Sequence, residues 1–449
     1  MKRLLCFVLS VFFVLGCFTP AMAAVEPDLS ISVRGVYLEA LDTEQILYEK
    51  NADQVMAPAS MTKVMTAIVV MELCEDLDKE TITAPSGIYN EFAGINVSTA
   101  NILAGETYTV RQLLYCMMLQ SANEAASIVA DYYGNGNKQA FFDLMNQKAA
   151  EIGCQNTHFA NAHGLDAEGH YSTPRDMALI CKYAMKIPGF MEIVSSTRYS
   201  IPATPKQAKR ILVTTIKPQD SVNGGSVYNP YIKGIKTGST DNAGRCFAST
   251  YTREGENYLC IVMGAPYEGL PNKAFIVTNE LYDWAWRNFL MNTVIEKGEL
   301  VHETEILYSF DQSTLLLESG ADFSLLLPVG ADASSIQKTI TLHNPQLEAP
   351  INKGDVVGEI TLKLEGKTVG TVPLLSGATV ERSNLLYVLY QIKYFFSSTP
   401  AKIAIAIVVL LALGYIVLLT ISLRNHKKRG GICQNSRSAK KMYKHKKYK

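Results

Sequence analysis

Two patterns typical of β-hairpins enclose a run of helical patterns, and this arrangement limits the possible folds more than any other feature. Apolar residues alternate over 33–41 and 44–49 around a short polar turn, and again over 244–252 and 257–264. Helical periodicity occupies the region between them, at 60–73, 110–118, 124–133, 138–152 and 174–185. Strands at both ends of one region with helices between them predict an α+β or α/β sandwich.

A second, smaller domain is expected after this region, because 449 residues exceed the usual size of one domain. The composition changes near 296–300, and short alternating segments then replace the helical patterns. These segments occupy 303–310, 313–318, 323–328, 339–343, 356–364 and 369–374. We therefore predict a first domain at 24–295 and a small β-sandwich at 296–378.

The first 23 residues predict a cleavable secretory signal. Lys2 and Arg3 precede an apolar run from Leu4 to Phe18, and Ala21–Ala23 resembles a small-residue cleavage site. Such a signal would direct export of the rest of the chain, which would begin near Ala24 after cleavage. A lipoprotein signal that retains Cys17 is the alternative, since a sequence similar to a lipobox precedes this cysteine.

The other end of the chain predicts a membrane anchor. Ile403–Leu423 holds 21 residues without a charge, which matches the length that one helix needs to cross a bilayer. Residues 424–449 contain 11 Lys or Arg and no Asp or Glu, which favours the cytoplasmic side for this tail. Residues 379–402, rich in Leu, Tyr and Phe, predict an amphipathic interfacial helix before the span. A linker helix packed on the β domain is the alternative for that segment.

Charge and cysteine content argue against two classes of ligand. The tail accounts for +11 and the first 23 residues for +2 of a formal net charge of zero, so residues 24–423 carry −13. A basic tail beside a span suits anionic lipid headgroups, and we expect no nucleic-acid partner. Six of the nine cysteines lie between 24 and 423 without CxxC spacing. Their spacing predicts buried free thiols, and we expect no metal site and no cofactor. Export would permit disulfides as the alternative.

Three short motifs occur in an order that indicates a serine acyl-transfer site with a lysine base: Ser60–Lys63 (SMTK), Ser121–Asn123 (SAN) and Lys236–Gly238 (KTG). Ser60 begins an apolar helical pattern, and Lys63 follows one turn later on the same face, so the two side chains can meet. The amine can take the serine proton only if burial or a second cation lowers its pKa from about 10.4. Lys236 is the candidate for that second cation.

The other two motifs offer matching chemistry. Ser121 and Asn123 lie on a predicted loop between two helices. There the hydroxyl could relay a proton, and the carboxamide could orient Lys63 or a substrate carbonyl. The KTG motif, on a predicted strand beside a cleft, offers a cation and a hydroxyl for an anionic substrate terminus. Its glycine lets a ligand approach the backbone.

Each motif alone has an ordinary structural explanation. SxxK spacing recurs at Ser335–Lys338 and Ser438–Lys441, and SxN spacing recurs at Ser221–Asn223. An isolated SxxK is more often a helix cap followed by a solvated lysine, and Ser and Asn commonly form turns. The recurrences lie in the β domain, in the tail and in a glycine-containing turn. Only the motifs that begin at Ser60, Ser121 and Lys236 are therefore consistent with one exported site.

With these motifs, the chain resembles the low-molecular-mass penicillin-binding proteins, specifically the serine-type D-Ala-D-Ala carboxypeptidases of the peptidase S11 family. The resemblance covers about residues 25–292 and extends to the β domain. Asn161–Asp166 (NAHGLD) and His170–Met177 (HYSTPRDM) are similar to the family's sequence between SxN and KTG. The resemblance implies an α+β, β-lactamase/transpeptidase-like domain with helices on the faces of an antiparallel sheet. It also implies a role in remodelling the wall and shape of a bacterial cell.

The resemblance implies a covalent mechanism. Ser60 would be acylated by the penultimate D-Ala of a peptidoglycan stem pentapeptide, with Lys63 as the general base and Ser121 as the proton relay. Asn123 would position the substrate. Water would then release the acyl-enzyme, and β-lactams would acylate the same serine as covalent inhibitors.

The resemblance also implies how the substrate terminus is held. Lys236, Thr237 and Gly238 would bind the terminal carboxylate, and the backbone N–H groups of Ser60 and Ser239 would form the oxyanion hole. Ser239 departs from the family's pattern, in which His or Tyr is common directly after KTG.

Three other functions share parts of this pattern. A β-lactamase has the same motifs but normally needs a means of fast deacylation, and a β domain with a membrane anchor is unusual for it. A D,D-endopeptidase or transpeptidase differs in the acceptor that attacks the acyl-enzyme, which the motifs do not identify. A non-catalytic wall-binding protein would carry a broken motif, and none is broken.

Overall fold

The structure is a computed structural model that describes residues 27, 29, 31–267, 269, 271–331, 333–364 and 366–443, with side chains described as far as 425 except at 333. The predicted signal peptide at 1–23, and its alternative at Cys17, lie outside the described residues. The chain divides into two compact units. The first contains the described residues up to Glu296 together with 322–339 and 361–371, and the second contains 297–321, 340–360 and the described residues from 372 onward.

A five-stranded antiparallel sheet is the centre of the first unit. The strands described up to residue 270 are β1 (Gly35–Ala40), β2 (Gln45–Lys50), β3 (Thr81–Thr83), β4 (Thr107–Thr109), β5 (Arg198–Ile201), β6 (Arg210–Val213), β7 (Ile232–Thr240), β8 (Gly244–Arg253) and β9 (Glu256–Ala265). The sheet has the order β2-β1-β9-β8-β7, and β3–β4 and β5–β6 form separate pairs. Both predicted hairpins, β1–β2 and β8–β9, are confirmed. Pairing of β1 with β9, with Val36 opposite Val262, joins them in one sheet.

The helices of the first unit follow the predicted pattern. They are α1 (Thr62–Leu73), α2 (Val110–Leu119), α3 (Asn123–Tyr133), α4 (Lys138–Ile152), α5 (Pro174–Met185), α6 (Phe190–Ser195) and α7 (Lys273–Asn288). The five predicted helices correspond to α1–α5, with ends that differ by two residues or fewer. Local signals explain these ends, since Thr109 and Gln112 form a capping box at α2 and the Thr173 side chain caps α5. The helices α6 and α7 are additional to the predicted ones.

Both faces of the sheet are covered by apolar side chains. Tyr37 packs in the larger core cluster with α1, whereas Val36 and Leu38 pack in a second cluster with α7. This division follows from the alternation of side chains along a strand. Every residue from Thr62 to Val70 of α1 is buried, as expected for a helix enclosed on all sides. The first turn of α1, which carries Lys63, therefore lies in the protein interior.

The later strands include all six predicted segments. They are β10 (Phe289–Ile295), β11 (Leu300–Leu307), β12 (Thr314–Ser319), β13 (Phe323–Pro328), β14 (Gln337–Leu342), β15 (Leu347–Glu348), β16 (Val356–Leu364) and β17 (Lys367–Ser376). Six of them form one sheet in the order β14-β16-β17-β12-β11-β15. β13 pairs instead with β10, Leu327 opposite Leu290, and belongs to the first compact unit. The sequence pattern assigns β13 to the β domain, because a pairing between distant segments leaves no local signal.

Two helices end the described chain, α8 (Asn384–Ser397) and α9 (Thr399–Tyr443). Within the described residues, one helix segment, Thr399–Asn425 of α9, is long and apolar enough to cross a membrane. It includes the predicted span. No side chain of α8 is buried, yet the ring of Tyr308 packs edge-to-face against Tyr387 and Tyr390 of α8, with centroid distances of 5.1 and 5.3 Å. α8 therefore has both an exposed apolar surface and a contact with the β domain.

The six cysteines whose side chains the structure describes are free thiols. Cys116, Cys181, Cys246 and Cys260 are buried, and Cys74 and Cys154 are partly exposed.

Because α1 is enclosed on all sides, we predict that a cavity beside this helix lowers the free energy of unfolding strongly. Ile68, at the centre of α1, has no exposed surface. Ile68→Ala should lower the free energy of unfolding by about 2–5 kcal/mol and the Tm by roughly 5–15 °C, measured by circular dichroism. Leu73→Ala, at the 45 % exposed end of the same helix, is the control and should change the Tm by less than about 2 °C. Equal shifts in the two variants would contradict this packing.

Candidate active site

Ser60 and Lys63 meet at the start of α1, as the SxxK spacing predicts. Ser60 lies in a 3-10 turn, Ala59–Met61, that leads directly into the helix. Lys63 belongs to the first turn of the helix, and its Nζ atom lies 2.9 Å from Ser60 Oγ. Because Lys63 has no exposed surface, its amine approaches Ser60 from the protein interior and not from solvent.

Two further oxygen atoms contact the Lys63 amine. Asn123 Oδ1 accepts a hydrogen bond at 2.7 Å, and the main-chain carbonyl oxygen of His163 accepts one at 2.5 Å. An ammonium has three N–H donors, and with Ser60 Oγ it finds three acceptors. The neutral amine can keep the bonds to Asn123 and His163 while its lone pair faces the Ser60 hydroxyl. The arrangement therefore suits both protonation states of Lys63.

The NAHG segment explains how the His163 carbonyl reaches this position. Asn161 Oδ1 accepts hydrogen bonds from the N–H groups of His163 and Gly164, at 3.2 and 2.7 Å. Gly164 has a φ of +87°, and a Cβ atom there would lie 2.0 Å from the carbonyl oxygen of Ala59. Glycine alone can occupy this position. The sequence similarity at 161–166 thus has a physical basis, since this loop packs on the turn that carries Ser60.

The SAN motif lies between α2 and α3, on the predicted loop. Ser121 has a φ of +58°, which is an unfavourable backbone conformation for a residue other than glycine. The residue is buried, with 5 % of its surface exposed. Asn123 is the first residue of α3, and its side chain bonds to Lys63. Ser121 lines the same cleft as Ser60. The motif therefore brings a hydroxyl and a carboxamide to the Ser60–Lys63 pair.

The KTG motif lies on β7, at one edge of the sheet. Lys236 has no exposed surface, and its Nζ donates to the carbonyl oxygen of Thr237 at 3.0 Å. The Thr237 hydroxyl is hydrogen-bonded to the Thr215 hydroxyl at 2.8 Å. A Cβ atom on Gly238 would lie 3.2 Å from the backbone nitrogen of Ser60. The missing side chain therefore allows β7 to pack closely against the Ser60 turn, as well as leaving the backbone open to a ligand.

Burial and charge act together on the two lysines. Burial lowers the pKa of Lys63 well below its ordinary value of 10.5, the positive charge of Lys236 lowers it further, and the Glu124 carboxylate opposes both effects. Burial lowers the pKa of Lys236 to about 7. Burial also lowers the pKa values of His163 and His170, to about 3 and about 4, so both rings are neutral at pH 7. The charge of Lys236 thus acts on Lys63 in the direction that the sequence predicts.

A cleft of about 260 Å³ opens beside Ser60. Its lining includes the predicted site residues Ser60, Ser121, Thr237, Gly238 and Ser239. Five further lining residues were not predicted: Ser98, Thr215, Arg245, Asn272 and Phe275. Arg245 is the cation among the lining residues. It is opposite Ser239 across the β7–β8 pair, so strand register brings it to the cleft, and its local sequence contains no signal of this position.

The rim of the cleft shows how the departure at Ser239 is accommodated. The Ser239 hydroxyl donates to the Tyr267 hydroxyl at 2.6 Å. The guanidinium of Arg245 lies over the Tyr267 ring, 5.5 Å from its centroid. An aromatic side chain is therefore present at the rim, although it comes from the segment after β9 and not from the position after KTG.

The recurring motifs do not join this site. Asn223 donates to Asp220 Oδ2 at 2.6 Å within a turn, Ser335 lies in a 3-10 turn before β14, and Ser438 lies in α9. Within the part of the chain that the structure describes, no group of three or more His, Cys, Asp or Glu side chains is placed to hold a metal ion. The side chains that meet at the cleft are those of the serines, the lysines and their hydrogen-bonding partners.

Comparison with known proteins identifies the family of both domains. Residues 21–267 match the peptidase S11 family, described as D-alanyl-D-alanine carboxypeptidase, and residues 289–382 match the C-terminal domain of penicillin-binding protein 5. The D-alanyl-D-alanine carboxypeptidase DacC of Escherichia coli K12 is 30% identical over 373 residues, which cover 81% of this chain and 89% of the relative. DacF of Bacillus subtilis 168 is 28% identical over 362 residues, which cover 80% and 88%.

Solved structures share the fold. Penicillin-binding protein 5 from Haemophilus influenzae gives a TM-score of 0.63 at 24% identity, over 79% of this chain and 99% of that one. The DD-transpeptidase of Streptomyces K15 gives a TM-score of 0.51 at 29% identity, over 57% and 97%. The family match covers more than half of the chain and includes all three motifs. The chain therefore belongs to the peptidase S11 family of D-alanyl-D-alanine carboxypeptidases.

Proposed function

We propose that the protein removes the terminal D-Ala from peptidoglycan stem pentapeptides ending in D-Ala-D-Ala, through an acyl-enzyme on Ser60. The observation that carries this proposal is the buried Lys63 amine, 2.9 Å from Ser60 Oγ and also bonded to Asn123. Family membership and the names of the relatives DacC and DacF support the substrate class. The expected cellular role is remodelling of the cell wall.

In the first step, Ser60 is the nucleophile and Lys63 is the general base. Ser60 Oγ attacks the carbonyl carbon of the penultimate D-Ala while its proton passes to the neutral Lys63 amine. Burial and the charge of Lys236 both favour that neutral form. We assign the oxyanion hole to the backbone N–H groups of Ser60 and Ser239. The close packing of β7 against the Ser60 turn supports this assignment.

Ser121 completes the acylation step. Its hydroxyl relays the proton to the amine of the leaving D-Ala, the C–N bond breaks, and the shortened peptide remains as an ester on Ser60. Water then attacks the ester while Lys63 accepts one of its protons. Lys63 returns this proton to Ser60 Oγ as the C–O bond of the ester breaks, and the stem tetrapeptide leaves. A β-lactam acylates Ser60 in the same way, and its ring opens in place of the peptide bond.

The terminal carboxylate of the substrate binds to the KTG strand. Lys236 supplies a positive charge, the Thr237 hydroxyl is oriented by Thr215, and Gly238 leaves the backbone accessible. Arg245 adds a cation on the cleft surface. Asn123 orients the substrate as well as Lys63. A carboxylate within reach of these groups also favours the charged form of Lys236.

The C-terminal segments support a membrane attachment. The apolar part of α9, Thr399–Asn425, fits an anchor, and the basic residues 424–449 favour the cytoplasm for the tail. We propose a single-pass protein of the bacterial cell membrane with its cleft on the outer side. The exposed Leu and Phe side chains of α8 would lie at the membrane interface.

The acyl-enzyme proposal predicts D-alanine release that depends on one serine. The full-length protein in detergent should release D-alanine from a pentapeptide ending in D-Ala-D-Ala, and Ser60→Ala should reduce the rate at least about 1,000-fold. Ser221→Ala, in the recurring SxN motif, is the matched control and should keep the wild-type rate.

Other outcomes of this assay would identify the rival functions. Wild-type protein that is labelled by fluorescent penicillin but releases D-alanine only when an amine acceptor is present would be a transpeptidase. Rapid turnover of penicillin would indicate a β-lactamase. Protein that is neither labelled nor active would contradict an enzymatic function.

The two lysines predict a bell-shaped pH dependence of kcat/KM for the pentapeptide. Activity should be lost as pH falls through the pKa of Lys63, because the protonated amine cannot accept the serine proton. Activity should also fall as pH rises above about 7, where Lys236 loses its charge in the free protein. Lys236→Arg should remove the alkaline limb and keep the acid limb, because arginine stays charged. An alkaline limb unchanged by this substitution would rule out Lys236 as its origin.

The proposed orientation predicts protection of the tail from external protease. In intact spheroplasts, trypsin should digest the body of the protein but spare an epitope tag placed after residue 449. Permeabilised spheroplasts should lose the tag, because residues 424–449 contain 11 trypsin sites. Loss of the tag from intact spheroplasts would contradict a cytoplasmic tail.

A further inference from the structure

Glu124 is a buried acidic residue that the proposed mechanism leaves without a role. It directly follows the SAN motif, lies in the first turn of α3, and has no exposed surface. A buried carboxylate is costly unless hydrogen bonds or opposite charges compensate for the lost water. The contacts of Glu124 therefore indicate what the residue is for.

Those contacts come mainly from one segment, Ser98–Ile102. Glu124 Oε1 accepts hydrogen bonds from the Thr99 hydroxyl at 2.6 Å and the Ala100 N–H at 2.7 Å. Longer contacts come from the Ile102 N–H at 3.5 Å and the Tyr89 hydroxyl at 3.4 Å. The second oxygen, Oε2, is buried and has no hydrogen-bond partner among the described residues. Glu124 thus fastens a loop to α3 with one oxygen and retains an unpartnered oxygen in the interior.

The fastened segment is a wall of the active-site cleft. Ser98 lines the cleft together with Ser60 and Ser121. The carbonyl oxygen of Ser98 accepts a hydrogen bond at 2.9 Å from the N–H of Asn123, whose side chain holds Lys63. The first two residues of α3 therefore connect the wall to the catalytic amine.

We propose that Glu124 is a positioning residue that holds Ser98–Ile102 as a wall of the cleft and places a buried negative charge next to Asn123, the residue that bonds to Lys63. The inference rests on the proposed function, since it gives Glu124 a part in the same acylation reaction. The wall would face the part of the peptide that stays on Ser60, and the charge would act on the base.

The charged groups around Lys63 support the second effect. Two charged groups act on Lys63, namely Lys236 of β7 and Glu124 of α3. The Lys63 charge in turn lowers the pKa values of His163 and His170, in the segment before α5. Lys236 lowers the pKa of Lys63, Glu124 raises it, and both histidines are neutral at pH 7. Tyr89 and Cys116 also face Glu124. Removing the charge of Glu124 should therefore make Lys63 a weaker base that is neutral at lower pH.

Two variants separate the two effects. Glu124→Gln keeps an oxygen that can accept from Thr99 and Ala100 but removes the charge. Glu124→Asp keeps the charge but withdraws the oxygens from the wall by one methylene group. Glu91→Gln is the matched control, because Glu91 is a partly exposed carboxylate in the same region that bonds to Lys138.

The first measurement is the rate of acylation of the full-length protein by fluorescent penicillin across pH. In Glu124→Gln, the pH at which the acylation rate falls on the acid side should be lower than in wild type by roughly one unit. At pH values where wild type is mostly inactive, this variant should therefore react about 3–10 times faster than wild type. Glu124→Asp and Glu91→Gln should leave the limb in place. A gain at low pH is not expected from a variant that is merely destabilised. An unmoved limb in Glu124→Gln would overturn the electrostatic part of the proposal.

The second measurement is amide hydrogen exchange over 98–102, which needs no catalytic activity. In Glu124→Asp the Ala100 N–H should exchange roughly tenfold faster than in wild type, and the KM for the pentapeptide should rise about 3–10-fold with less effect on kcat. Unchanged exchange in this variant would overturn the role of Glu124 in holding the wall. Wild-type protein that is neither acylated nor active would contradict the proposed function instead, and the exchange result would still decide the role in the wall.

Discussion

The burial of the Lys63 amine is the interaction on which the rest of the site depends. Water would keep this amine protonated, so its removal from water is what allows it to act as a base near neutral pH. Burial also demands partners, and these come from three segments far apart in sequence: the Ser60 turn, the start of α3 and the NAHG loop. A change that displaces any of these segments alters the geometry and the basicity of Lys63 together.

The position of the nucleophile is set by backbone packing more than by side chains. The turn that carries Ser60 contacts Gly164 at the Ala59 carbonyl and Gly238 near the Ser60 nitrogen. Neither glycine has a Cβ atom to separate the segments, so the turn is held between a loop and an edge strand. Backbone atoms have no rotamers to exchange, and a nucleophile mounted in this way keeps its direction when neighbouring side chains move.

The sequence predicted the three motifs, the helices that carry them and the hairpins of the sheet, because these depend on local periodicity and capping. It also predicted that Lys236 acts on Lys63, which follows from the need to lower the pKa of a base. The carbonyl of His163, the cation at Arg245 and the wall held by Glu124 were missed. Each of these depends on strand register or on a contact between distant segments, which no local pattern records. The separation of β13 from the other late strands has the same cause.

The free cysteines have a consequence for chemical selectivity. The thiolate is the reactive form of cysteine, and burial raises the pKa of the described thiols, to about 12 at Cys116 and about 11 at Cys246. Sulfur is intrinsically a better nucleophile than a hydroxyl oxygen, so exposed thiolates would compete with Ser60 for any electrophilic acyl donor. Because these sulfur atoms stay protonated, a β-lactam that binds in the cleft can react with the activated Ser60 hydroxyl. No thiolate among the cysteines with described side chains competes for it. Burial of these thiols therefore favours acylation at Ser60, in addition to the activation of Ser60 itself in the cleft.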